Sequence, residues 1–179
     1  MRITGGVYRG RKVQCPKGVI RPAMDRMRES MFSILGSLEG TSFLDLFSGS
    51  GLVGIEAASR GASPVILVEM DRKKRTVIEK NIGIVESEIS LVMMPVERFF
   101  KRGMGSFDII YLDPPFPMPG KVQLVASAAS SGLLAEGGKV LIHHPAEESW
   151  PETIESLVCY DKRTYGRSIL RFFRQLVDG

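Results

Sequence analysis

Short apolar runs alternate with stretches whose apolar residues recur every three or four positions, and this alternation organises the chain from about residue 42 onward. The runs at Ser42–Leu46, Pro64–Glu69, Ile89–Met94, Phe107–Leu112 and Lys139–His143 predict strands. Between them, a charged segment from Asp71 sets Val77, Ile78, Ile82 and Val85 on one helical face, and Val122, Val125, Ala126 and Ala129 do the same after the fourth run. Pro95 suits the first turn of a short helix through Phe99-Phe100, where its missing N–H is not needed. This order predicts an α/β fold, a mostly parallel sheet wrapped by crossover helices. Leu157–Thr164 and Ser168–Gln175 flank Tyr165-Gly166-Arg167 and predict an antiparallel hairpin that closes a seven-stranded sheet. Ahead of the first strand, Met31, Ile34, Leu35 and Leu38 predict a helix lying on the sheet, with Asp25 as its cap. Ile3, Val7, Val13 and Ile20 punctuate residues 2–20, which predict a small β-hairpin or extended arm. A boundary is expected at residues 22 and 23, between a basic N-terminal extension and one larger domain.

Length and composition narrow the class. The 179 residues suffice for one compact domain with a core and leave too little chain for a full second domain. At 44% apolar and 25% charged, the composition is that of a globular protein. No apolar run reaches membrane-spanning length and no secretory h-region follows the basic start, so no membrane association and a cytoplasmic location are expected. Cys15 and Cys159 are isolated and the two histidines are adjacent, so neither a disulfide framework nor a metal site is expected.

Charge is unevenly placed. Residues 1–30 hold eight Lys and Arg against Asp25 and Glu29, a net +6, whereas the whole chain is +4 and the remainder therefore −2. A basic opening on a mildly acidic body predicts a polyanion contact, with Arg2, Arg9, Arg11, Lys12 and Arg21 as candidate RNA-binding residues. A solvated, loosely ordered terminus is the competing reading.

Asp45 through Gly54 spans a strand-to-helix junction and contains Gly49-x-Gly51-x-x-Gly54. In dinucleotide enzymes such glycines bring a pyrophosphate to a helix N-terminus. Here Asp45 stands four residues before the first glycine, where a carboxylate repels phosphate and favours an ammonium or sulfonium. S-adenosylmethionine carries both cations. Phe47, Ser48, Gly49, Ser50 and Gly51 are then its candidate loop contacts, and glycine lets the backbone approach the ligand. Glu69, 24 residues after Asp45, ends the next strand where an acid accepts hydrogen bonds from ribose hydroxyls. Asp71 reads as a helix cap. Met70, Met94, Pro95 and Val96 are candidates for the adenine walls, against a competing reading as ordinary core.

Asp113-Pro114-Pro115-Phe116 follows the fourth strand. Two prolines end a strand and leave a stiff turn with free carbonyls. A carboxylate before that turn and an aromatic ring after it suit a planar exocyclic amine, with both N–H groups accepted and the base stacked on the ring. An isolated Asp-Pro-Pro reads equally well as a turn opener; the glycine loop upstream favours a site. His143-His144 ends the fifth strand and is read as structural.

Together, Arg2-Ile3-Thr4-Gly5-Gly6, Arg21 through Glu29, Asp45 through Glu56, Val68 through Asp71, Asp113 through Phe116 and Tyr165-Gly166 make the chain resemble, over nearly its full length, the RsmD-type 16S rRNA (guanine-N2)-methyltransferases. The resemblance implies a Rossmann-like class I methyltransferase fold, S-adenosylmethionine as cofactor, and methyl transfer to the N2 amine of a guanine in 16S rRNA, the partner being an assembling small ribosomal subunit and the enzyme a monomer. Asp113, Pro114 and Phe116 would then be catalytic. Arg28, or Arg26 beside it, would meet the methionine carboxylate. Ala23 stands where the family usually has threonine, and the acid or amide that the family normally has near Met94 to meet adenine is absent; if Pro95 occupies the position whose N–H usually meets adenine, that donor is absent too. An N6-adenine methyltransferase acting on DNA or RNA fits the same corner, and a non-catalytic RNA-binding factor would share the basic opening. A nicotinamide-dependent oxidoreductase would explain the glycines and Glu69 but neither Asp45 nor the Asp113 corner.

Overall fold

The computed structural model describes residues 1–15 and 22–176; the expectations for Lys17, Ile20 and Arg21, and for the Ala23 side chain, lie outside it. One eight-stranded sheet runs through the molecule. Its strands are β1 (Phe43–Leu46), β2 (Val65–Glu69), β3 (Ile89–Met93), β4 (Phe107–Leu112), β5 (Leu134–Pro145), β6 (Thr153–Ile154), β7 (Leu157–Tyr165) and β8 (Ser168–Gln175). The spatial order is β3-β2-β1-β4-β5-β8-β7-β6. β1 to β5 pair in parallel, while β8 and β7 close the edge antiparallel. The sheet thus has one strand more than expected, because the two-residue β6 pairs with β7 at Thr153 and Ile154. β5 is also longer than expected and absorbs Gly137-Gly138 where its register against β4 shifts.

Period-two alternation explains how both faces are buried. Phe43, Ile109, Tyr111, Leu141 and Phe172 point to one face, where they pack with Met27, Met31 and Phe32 of α1 (Pro22–Leu35), Ala57 and Ala58 of α2 (Leu52–Ser59) and Ile78 of α3 (Arg75–Ile82). Leu44, Ile110, Leu112, Val140, Ile142 and Phe173 point to the other, under Phe99 and Phe100 of α4 (Val96–Arg102) and Leu124, Val125 and Ala128 of α5 (Lys121–Ser130). Full burial of one such side chain contributes about 1.5–3 kcal/mol.

α1 begins at Pro22, so Asp25 lies inside its first turn instead of capping it, and there it pairs with Arg28. Pro95 is the residue before α4 rather than inside its first turn. The described part of the basic opening is a closed loop docked on the domain. Arg2 bridges Lys12, and Ile3, Tyr8 and Val13 pack on Leu52, Ile55 and Val85. Its tip lies against the far end of α2, since Val7 N–H donates to Ser59 O at 2.8 Å. Eight residues of α2, about 12 Å of helix, separate that tip from the glycine loop.

Candidate active site

The strand order reverses between β1 and β4, and a cleft of about 1020 Å³ opens at the carboxyl ends of these strands. Gly49, Glu69, Met94 and Val96 line it together with Asp113, Pro114, Pro115 and Phe116. Two constellations expected at separate places in the sequence therefore share one space.

The three glycines of the loop divide their work. Gly49 has φ +59 and open space where a Cβ would stand, and it alone of the three lines the cleft. Gly51, at φ +80, precedes α2, and a Cβ there would stand 2.9 Å from Leu67 Cδ1. A Cβ on Gly54 would collide with the same leucine, so these two glycines let α2 lie close on β2. Phe47 adopts a left-handed conformation with φ 61 at the start of the loop.

Glu69 holds the loop from the neighbouring strand. Its Oε2 accepts from Gly49 N at 2.8 Å and its Oε1 from Asp71 N at 3.0 Å. Asp71 caps the short 3-10 turn Arg72–Lys74 as expected, accepting from Lys73 N. Asp45 lies beneath the loop, 1% exposed, and accepts from Gly54 N at 2.9 Å. Burial holds its carboxyl well above the usual carboxylate range; the Gly54 N–H opposes this, and Asp113 and Glu69 reinforce it. Three carboxyl groups thus converge at the ends of three adjacent strands, a field that favours a cation in the cleft.

These residues fit S-adenosylmethionine. The open space at Gly49, the buried Ser48 Oγ without a partner among the described residues, and the converging acids suit a ligand with two cations and several hydrogen-bonding groups. Met70 is exposed at the rim, while Met94 and Val96 form an apolar wall. Met94 N–H is already given to Glu69 O. Pro95 is exposed, and Ser50 sits in the loop with its carbonyl held by Asn81.

Other expectations change. α1 does reach the cleft, through Met24 and Met27, but Arg28 is committed elsewhere. It is 2% exposed and donates to Glu56, to Asp25 Oδ1 at 3.0 Å and to the Arg2 carbonyl at 2.8 Å, which leaves Nη and Nε spent on the fold and not on a ligand. Arg26 is exposed. Glu97, in the first turn of α4, lines the cleft beside Val96, so an acid does stand near Met94. Helical spacing from Pro95 was the available signal for it. In the basic opening, Arg2 donates to Gly10 O and Arg11 to Ile84 O, with Arg11 also over the Tyr8 ring; Arg9 and Lys12 are exposed.

The Asp113 corner carries partners that sequence reasoning missed. His143 Nδ1 meets Asp113 Oδ1 at 3.0 Å, and the His143 ring sits edge-on to Phe116, centroids 5.0 Å apart. Tyr111 OH donates to Asp113 Oδ2 at 3.4 Å; burial, then the Asp113 charge, raise that phenol well above its ordinary range. Lys121 Nζ donates to Phe116 O, Met118 O and Glu148 Oε1, each at 2.7 Å. His144, by contrast, is structural as expected. It is stacked on Trp150 and accepts from Arg171 at 2.9 Å, and burial followed by the Arg171 charge lowers its pKa. Tyr165 through Ser168, on the β7–β8 turn, complete the wall. Among the described residues, no cluster of three metal-ligating side chains is present and no helix is long and apolar enough to cross a membrane.

Known proteins are similar to this chain over its full length. YlbH of Bacillus subtilis is 33% identical over 98% of this chain and 99% of its own. Ribosomal RNA small subunit methyltransferase D of Escherichia coli K12 is 29% identical over 100% of this chain and 92% of its own. The solved structure of yhhF from Escherichia coli superposes with a TM-score of 0.90 at 28% identity, covering 99% of both chains. Residues 1–174 match the family model described as conserved hypothetical protein 95, and with the full-length likeness to the small subunit methyltransferases the chain belongs to that family, a Rossmann-like methyltransferase family.

Proposed function

We propose that this protein transfers a methyl group from S-adenosylmethionine to the exocyclic N2 amine of a guanine in 16S rRNA. The observation that carries the reading is that the Asp113-Pro114-Pro115-Phe116 corner lines the same cleft as Gly49 and Glu69. The name of the Escherichia coli relative, ribosomal RNA small subunit methyltransferase D, supports the substrate class.

When bound, S-adenosylmethionine supplies an electrophilic methyl group on a cationic sulfur. Gly49 and Ser48 line the methionine portion, Glu69 has a lone pair left on each oxygen for ribose hydroxyls, and Met94 and Val96 flank the adenine with Glu97 beside it. The amine of the target base is a poor nucleophile because its lone pair is delocalised into the ring. Asp113 and the Pro114 carbonyl accept its two protons, which favours a pyramidal nitrogen and aims the lone pair into the cleft. Phe116 stacks on the base after it leaves its RNA stack, an extrusion that costs a few kcal/mol. As the N–C bond forms, the sulfur–methyl bond breaks to leave a neutral thioether, and one proton leaves nitrogen toward Asp113 or water. Positioning and local polarity supply most of the rate.

The basic opening is the RNA contact in this reading. Arg9 and Lys12 meet phosphates, while Arg2 and Arg11 chiefly shape the loop that presents them. Each phosphate neutralised on duplex steepens the log–log salt dependence of binding by about 0.9. The test is incubation with small ribosomal subunits lacking the modification and tritiated cofactor, followed by mass mapping of the modified nucleoside. N2-methylguanine is the expected product; N6-methyladenine would replace the guanine assignment with the adenine alternative, and no transfer would reject the enzyme.

A further inference from the structure

We infer that His143 is a positioning residue for Asp113: it fixes the carboxylate through Nδ1 and so leaves the other oxygen for the incoming amine. The inference rests on the amine-methyltransferase reading of the cleft.

An ionised carboxylate has only acceptor atoms, so the hydrogen of the 3.0 Å contact lies on His143 Nδ1. That choice of tautomer leaves Nε2 with a bare lone pair. Nε2 is buried and has no partner among the described residues, with the Phe116 ring beside it. A residue present only to fill space would not keep an unsatisfied polar atom there, since an apolar side chain of similar size avoids the desolvation cost. The contrast with its neighbour is instructive. His144 satisfies both nitrogens, one at Pro145 O and the other from Arg171, and so behaves as a structural histidine.

The geometry also divides Asp113's work. Oδ1 is tied to β5 by the imidazole, whereas Oδ2 has only the long Tyr111 contact at 3.4 Å and remains the oxygen for an incoming amine. Without the Nδ1–H donor the carboxylate is free to rotate, and near-attack geometry is lost.

His143→Asn and His143→Leu test this, because an asparagine amide N–H reaches about where the Nδ1–H does and a leucine offers no donor. With purified protein, unmodified small subunits and S-adenosylmethionine, His143→Asn should keep kcat within about threefold of the wild type. His143→Leu should lose on the order of 10- to 100-fold in kcat, as expected for a misplaced catalytic group, with calorimetric Kd for the cofactor unchanged. Should His143→Leu not fold, His143→Ala takes its place. A folded leucine or alanine variant as fast as wild type, or an asparagine variant as slow as they are, overturns the inference. The mapped product judges the substrate reading separately, since N6-methyladenine would refute guanine while the His143 kinetics would be read on the same amine chemistry.

Discussion

Arg28 of α1 and Glu56 of α2 form a buried ion pair, the guanidinium Nε donating to a carboxylate that is wholly inaccessible to solvent. Glu56 also accepts from Thr4 N at 2.6 Å, from the Thr4 hydroxyl and from Gly5 N at 3.2 Å, so one acid ties the opening segment, the first helix and the helix after the glycine loop together. A buried charge is tolerated only when it is paired and its remaining lone pairs are occupied, and both conditions are met here.

Removing Arg28 should therefore unfold before it disarms. Arg28→Met leaves buried Glu56 with only the longer Arg60 contact at 3.6 Å to offset its charge and should cost about 3 kcal/mol in chemical denaturation. Cofactor affinity of the folded fraction, measured calorimetrically, should stay near wild type. A large loss of cofactor affinity with unchanged stability would instead return Arg28 to the methionine carboxylate. Adding Glu56→Gln to Arg28→Met should recover part of the stability, because it removes the stranded charge.

Asp45 should make the cofactor-free protein less stable as pH rises. Its carboxyl is held well above the ordinary range chiefly by burial, so the folded state binds the proton more tightly than the unfolded chain does. Stability from this group is fully present below the unfolded value and is lost as pH rises through the folded one. Asp45→Asn cannot pay that cost, so its stability relative to wild type should be greater at pH 8 than at pH 5, with both measured by denaturant unfolding. A difference that does not change with pH would mean that the carboxyl is ionised throughout. The same variant should bind S-adenosylmethionine more weakly, having lost a charge that a cation favours.

Asn81 links the basic opening to the cofactor loop. Its amide accepts from Gln14 N at 2.9 Å and donates to Gln14 O at 2.7 Å and Ser50 O at 2.8 Å, at 1% exposure. Asn81→Ala should cost about 1–3 kcal/mol for the unsatisfied groups it leaves. Hydrogen exchange should quicken at Gln14 in particular, and cofactor affinity should fall because Ser50 loses its anchor. Unchanged exchange at Gln14 would show that the opening is held by Ile3, Tyr8 and Val13 alone.

Periodicity carried the fold well, because each strand run and helical face answers to a sheet buried on both sides. The alternation of Ile109, Ile110, Tyr111 and Leu112 between two cores is visible as an unbroken apolar run. What failed was register at short range. The two residues of β6 are too few for any pattern, and Gly137-Gly138 reads as a turn although it lies within a strand at a register shift. In the site, Gly49 and Asp113 were legible because each belongs to a short motif at the end of a strand. Residues that act through a partner were not. Nothing in His143-His144 says that one imidazole meets a carboxylate on the neighbouring strand while the other meets an arginine across an antiparallel pair. Arg28 failed for the same reason, since its partner Glu56 lies on another helix.

Lys121 offers a last test of how the target-base corner is held. Its ammonium is 4% exposed and spends three hydrogen bonds on Phe116 O, Met118 O and Glu148, two of them on the backbone of the turn that carries Phe116. Lys121→Met preserves length and packing along the side chain but leaves both carbonyls without their donor, at a cost of about 1–3 kcal/mol. The turn should then sample conformations in which Phe116 no longer caps the base. Because the glycine loop and Glu69 are untouched, cofactor Kd should remain at its wild-type value while kcat on small subunits falls by about tenfold or more. Equal loss in cofactor binding and in kcat would show that the lysine supports the whole domain and not the corner. Glu148→Gln should behave more mildly, since it removes the charge partner while both backbone carbonyls keep the ammonium.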